Sequence, residues 1–249
     1  MNKKVFWIPL IAVIISFVGG FLLANALNRK EMEDLRAEIG RLKSPPQTPV
    51  ELTDEEIRLK INEADKNPEN IEYQKGLGMA LYRYGSMKQE PKWLGEIARL
   101  LNRVFEKNPK DYNTIITLGN IYFDIAETGG DDGLVDGSEV KNSTLEKSRF
   151  FYQKALEINP NDVDIRTDLG MTYFLEEPPQ NDKAIAEFQK SLQSSPKNER
   201  TLENITQAFL KSGKPKEAEE FLVKLKEVNP KNETIGDLET RLTQIKNNK

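Results

Sequence analysis

Enzymes most often work through histidine, cysteine or a pair of carboxylates with different proton affinities, and this sequence offers only the last. It contains no histidine and no cysteine. That removes the commonest general base, the thiolate nucleophile and the imidazole and thiolate metal ligands together. The remaining acid–base candidates are the pairs Asp131–Asp132 and Glu176–Glu177. Split carboxylates need a shared, partly dry pocket. Both pairs are adjacent in sequence and fall in stretches that read as loops, so both are expected to be solvated. An enzyme using loop carboxylates is therefore a remote alternative, and no catalytic residue is assigned. Asp131, Asp132, Asp136 and Glu139 are close enough in sequence to suggest calcium, but they lack the alternate-residue spacing of an EF-hand loop. No metal site and no cofactor is expected. The net charge of −4 and pI of about 5.3 provide no basic field for nucleic acid.

The residues with a recognisable physical role are those that place the chain. After Lys3 and Lys4, residues 5–27 carry no charge. As a helix they would span about 34 Å, against roughly 30 Å of bilayer hydrocarbon. Phe6 and Trp7 lie at the level of an interfacial belt. A single transmembrane anchor is expected, with residues 1–4 as a cytoplasmic tail. Ala24-Asn25-Ala26 has the form of a signal-peptide cleavage site, so release near Ala26 is the competing reading, although the apolar run exceeds a normal signal core. Lys3 and Lys4 favour an extracytoplasmic, periplasmic body. Arg29, Lys30, Arg36, Arg41 and Lys43 favour the opposite orientation. Residues 28–52 follow as a juxtamembrane helix and a proline-rich linker. Met32, Leu35, Ile39 and Leu42 form a short a/d seam suited to weak self-association, and Ser44-Pro45-Pro46-Gln47-Thr48-Pro49 ends it.

From Thr53 the chain is punctuated by Asn67-Pro68, Asn108-Pro109, Asn159-Pro160, Ser195-Pro196 and Asn229-Pro230. The prolines are 41, 51, 36 and 34 residues apart. Between them, Leu77-Gly78, Leu118-Gly119-x-x-Tyr122 and Leu169-Gly170-x-x-Tyr173 recur. Ala184…Phe188 and Ala218…Leu222 follow at helical spacing. The segment resembles the tetratricopeptide-repeat family over Ile71 to Pro230. The resemblance implies an all-α, right-handed solenoid of about four helix-turn-helix repeats, at about 71–109, 112–160, 163–196 and 199–230. Capping helices are expected at 53–66 and 233–246, within a domain spanning 53–249. In that pattern Gly78, Gly119 and Gly170 admit the partner helix. Tyr122 and Tyr173 fill space between units, and Ala184, Phe188, Ala218 and Leu222 pack the second helices. Two insertions are expected as loops, from Tyr84 to Pro91 and from Thr128 to Thr144.

The resemblance also implies that the first helices line a groove for a protein or peptide client. Residues sharing that face are Lys75, Met79 and Tyr82; Asn113, Ile116, Asn120 and Phe123; Thr167, Met171 and Phe174; and Glu203 and Gln207. Met79, Tyr82, Ile116, Phe123, Met171 and Phe174 would form an apolar stripe able to anchor a helix or extended segment. Family members that grip a C-terminal carboxylate use a Lys/Asn set. Lys75 matches one place in it, whereas Met79, Thr117, Asp164 and Asp168 do not. Asp124, Asp164, Asp168 and Glu203 point instead to a client with basic residues. The expectation is a non-enzymatic, membrane-anchored scaffold in envelope protein assembly. It is weakly similar to bacterial accessory factors of c-type cytochrome maturation, or to translocon-associated helpers.

Overall fold

The computed structural model describes residues 51–90, 92–129 and 137–247. The anchor at 5–27, the juxtamembrane seam, the proline-rich linker and Asp131, Asp132 and Asp136 lie outside the described residues. Among those described, no helix is long and apolar enough to cross a membrane.

The described residues form ten α-helices and no strand. They are α1 (Asp54–Lys66), α2 (Ile71–Lys88), α3 (Leu94–Lys107), α4 (Tyr112–Thr128), α5 (Ser138–Ile158), α6 (Val163–Phe174), α7 (Asn181–Ser194), α8 (Glu199–Lys211), α9 (Pro215–Val228) and α10 (Ile235–Asn247). Each packs chiefly on the helices before and after it in sequence, which makes the stack a solenoid. The proline punctuation acts through both flanks. Ahead of it, the N–H groups of Asn108, Asn159, Ser195 and Asn229 close a last helical bond to Val104, Ala155, Ser191 and Leu225, and the following proline cannot continue the helix. Two residues past it, Asn70, Asp111, Asp162 and Asn198 accept from the N–H of Tyr73, Thr114, Ile165 and Thr201 at 3.1, 3.1, 3.1 and 2.9 Å. Each is an N-cap worth about 1 kcal/mol.

The helix pairs α2/α3, α4/α5, α6/α7 and α8/α9 close on small residues. A Cβ on Gly119 would sit 2.6 Å from the Tyr152 ring, and one on Gly170 2.4 Å from the Phe188 ring. Ser148 occupies in α5 the place that Ala184 and Ala218 hold in α7 and α9, and its hydroxyl donates to the Gly119 carbonyl at 2.9 Å. Tyr122 bridges units: its ring stacks on Phe151, centroids 5.7 Å apart, and its hydroxyl accepts from Asn102 of α3. Phe188, Leu202, Ile205, Leu222, Leu225 and Leu238 continue one buried core to α10.

Both insertions differ from the expected loops. The first is helix as far as Lys88, because nothing between Tyr84 and Lys88 breaks α2. The turn comes only at Gln89, in the left-handed region at φ 55°. The second returns to helix at Ser138, so α5 begins well before its repeat-equivalent start. Those extra turns reach the neighbouring unit, where the Asn142 amide pairs with both the N–H and the carbonyl of Glu177, at 3.0 and 2.9 Å. Glu176 is a correction. Expected in solvent, it is 6% exposed and forms an ion pair with Arg149 of α5, whose guanidinium lies 4.5 Å from the Tyr173 ring centre. The loop carboxylate is thus part of the contact between neighbouring units.

Candidate partner-binding face

The first helices of the units, α2, α4, α6 and α8, form the inner side of the stack. Direct contacts join α2 to α4 and α6 to α8, an approach the second helices do not share to the same extent. Specific bonds tie the inner helices together. Tyr82 Oη donates to Asp124 Oδ2 at 2.8 Å, and Thr117 Oγ1 donates to Met79 Sδ at 3.3 Å. Tyr112 Oη donates to Asp162 at 2.6 Å. Lys75 pairs with Asp111, and Arg200 with Asp168.

The structure places the twelve expected groove residues in two groups. Met79, Tyr82, Ile116, Asn120, Phe123, Met171, Glu203 and Gln207 are half-buried on the inner helices, with Asn113 exposed among them. Asn120 accepts from Tyr152 Oη at 2.9 Å, and Gln207 donates to Glu203 at 3.2 Å. Lys75 is half-buried, with its ammonium already engaged by Asp111. Thr167 and Phe174 are corrections. Thr167 is fully buried, its hydroxyl 3.0 Å from Ser191 and 2.7 Å from Thr201. It belongs to a three-hydroxyl knot joining α6, α7 and α8. Phe174 is in the core, covered by Lys211, whose Nζ is 4.4 Å from the ring centre. The apolar stripe is therefore shorter than six residues and is interrupted by polar pairs.

Charge distinguishes this face more than apolarity does. Burial pushes the Asp124 carboxyl above its ordinary range, opposed by the Tyr82 hydrogen bond and reinforced by the charges of Asp168 and Glu127. Burial also raises Asp168, and the Arg200 guanidinium only partly offsets it. Burial and the Asp124 charge raise the Tyr82 phenol. Asp124 has no cationic partner among the described residues, and the side chain that bonds to it is a neutral phenol.

A carboxyl whose folded pKa exceeds its unfolded one penalises the fold when both states are ionised, and the penalty lifts as pH falls through the folded value. Asp124→Asn keeps an oxygen for Tyr82 and removes the charge. It is expected to raise the melting temperature at pH 7, with the gap to wild type narrowing as pH falls through the raised folded value and gone once pH is below the unfolded carboxylate's value of about 3.9. Thermal melts across pH check this, and a gap independent of pH would contradict it.

The packing glycines and the inner helices are visible in the repeat pattern, whereas the cap residues are missed by it. Their signal is nonetheless present: Asp or Asn stands two places after every punctuating proline. Among the described residues, no cluster of three or more Asp or Glu is arranged to hold a metal ion.

Tetratricopeptide-repeat family models match residues 151–186 and 180–242. Solved structures share the fold. MamA is 21% identical, with 72% of this chain and 89% of that chain covered and a TM-score of 0.54. TTC0263, a thermophilic TPR protein in Thermus thermophilus, is 18% identical over 77% and 89%, with a TM-score of 0.50. A tetratricopeptide repeat protein from Parabacteroides merdae is 17% identical over 70% and 61%, with a TM-score of 0.54. At these identities the likeness is one of fold. No curated protein matches the chain.

Proposed function

We propose that this tetratricopeptide solenoid is a scaffold that holds a client polypeptide carrying basic residues along the inner face of α2, α4, α6 and α8. The fold is typically a non-catalytic interaction platform. The supporting observation is the inner face itself, where half-buried Met79, Ile116, Phe123 and Met171 alternate with an acidic set headed by Asp124 and Asp168. Apolar anchors supply contact area, and the negative field selects sign and speeds encounter. A carboxylate-gripping mode is disfavoured because Lys75, the one matching cation, is already paired with Asp111. Residues 5–27 are proposed to tether the scaffold to a membrane with the repeats on the extracytoplasmic side, where the client would be an envelope protein. A reporter fused after Lys249 tests that side. No residue of the inner face favours a cytochrome client over any other basic polypeptide.

Photoreactive side chains at Met79, Asn120 and Met171 in intact cells test the groove. The expected result is capture of the same polypeptide from all three positions and none from Val223 on the exposed face of α9. Capture from Val223 alone would place the client elsewhere.

A further inference from the structure

Beside the inner face, where α2 runs past its repeat-equivalent end, the first and second units line a half-open cavity of about 360 Å³. Leu81, Leu94 and Ile97 form apolar walls, Tyr82 and Asp124 supply a hydrogen-bonded polar pair, and Lys92 stands at the rim. At the small end of the ligand-pocket range, the volume suits one side chain rather than a larger molecule. The three apolar walls are 5%, 2% and 1% exposed, so they belong to the core and present only their edges to the cavity.

The polar side of the cavity is unbalanced. Asp124 Oδ2 takes the Tyr82 hydroxyl at 2.8 Å, and no described cation pairs with the carboxylate. The charges of Asp168 and Glu127 bear on it as well. Lys92 does not supply the missing charge: its ammonium is directed to Glu90, 3.6 Å away, and its side chain is half exposed. An anion would be repelled here, and a wholly apolar group would leave the carboxylate desolvated without compensation. A long side chain with an aliphatic stem and a cationic head meets both walls at once.

We propose that this cavity receives one arginine or lysine side chain of the client. The stem would lie on Leu81, Leu94 and Ile97, and the cation would meet the carboxylate of Asp124. The proposal rests on the groove reading and deepens it: the client must present a basic residue where it crosses from the first unit to the second. The extra helical turns of α2, an insertion relative to the repeat, would then be the device that builds the specificity site.

The test titrates the full-length chain, methyl-labelled at leucine and isoleucine, with N-acetyl-arginine methylamide. N-acetyl-citrulline methylamide serves as the uncharged control of the same shape. Saturable shifts are expected at the methyls of Leu81, Leu94 and Ile97. Affinity should be at least about tenfold weaker for the citrulline compound, and weaker by a similar factor for arginine on Asp124→Asn. Equal response to the two compounds, an unchanged response in Asp124→Asn, or shifts confined to methyls away from the cavity would each overturn the proposal. If the arginine compound leaves the cavity methyls unmoved while the groove crosslinks persist, this inference falls and the groove reading stands. If it binds while the crosslinks stay blank, the groove reading falls, and with it the client as the source of the cation.

Discussion

Arg149→Met is expected to destabilise the solenoid by about 3–5 kcal/mol, the cost of leaving one member of a buried ion pair without its counter-charge. The Arg149 and Glu176 side chains are 11% and 7% exposed. The same guanidinium donates to the Thr172 carbonyl at 3.3 Å and packs on the Tyr173 ring. Glu176→Gln keeps an acceptor for Arg149 and should cost less than the methionine variant. The pair joins α5 of the second unit to the α6–α7 loop of the third, so the loss falls on an interface rather than within a helix. Urea denaturation of the two single variants and of the double Arg149→Met/Glu176→Met gives the coupling. The double is expected to be less damaged than the sum of the singles, because it leaves no stranded charge. Simple additivity would mean that the two groups stabilise independently.

Gly170→Ala is the second large effect. The added methyl would lie 2.4, 2.7 and 3.1 Å from three Phe188 ring carbons. Phe188 is fully buried, so its ring can move only by displacing other core side chains. Overpacking of this kind costs about 1–3 kcal/mol, equivalent to a fall of about 2–12 °C in melting temperature for a domain of this size. Gly76→Ala, on the exposed side of α2 with nothing within 4 Å of the new Cβ, should move the other way by about 0.5–1 kcal/mol. Trimming the obstacle, as in Gly170→Ala/Phe188→Leu, should recover part of the loss. A glycine chosen for helix flexibility rather than close approach would give alanine variants of the same sign at both sites.

These two expectations also divide what the sequence disclosed from what it did not. Gly170 was legible because it recurs, as Gly78 and Gly119, at a fixed offset from a helix-ending proline, and a repeat converts a local packing need into a visible period. Glu176 was not legible. Its partner is 27 residues upstream on a helix lengthened by an insertion, and no spacing rule anticipates a contact made by the part of a repeat that departs from the period. The same limit explains Thr167. It was expected on the groove face, but Ser191 and Thr201 arrive from two other helices and bury it. Lys88 ended α2 later than a turn-centred reading of Tyr84 to Pro91 allowed, because Gly85 is tolerated inside a helix at a modest cost. The repeat pattern thus marked which helices carry the candidate face, whereas its polar network depended on contacts between units.

The capping residues carry one more consequence. Asp111 takes the Thr114 N–H at 3.1 Å to start α4, and its second oxygen holds Lys75 of the preceding unit. Asp162 takes the Ile165 N–H to start α6, and its second oxygen holds Tyr112. In an idealised repeat array, the energy of forming a unit and the energy of joining it to its neighbour are separate quantities. Here a single carboxylate serves both. When the first turn of α4 or α6 frays, the lateral bond loses its anchor, and when the neighbour swings away, the cap loses a preorganised geometry. Order should therefore spread along this solenoid in blocks larger than one repeat. Amide exchange at the starts of α4 and α6 would then report on the unit before each, and a unit transplanted without its aspartate would lose both its cap and one of its bonds to the unit before it.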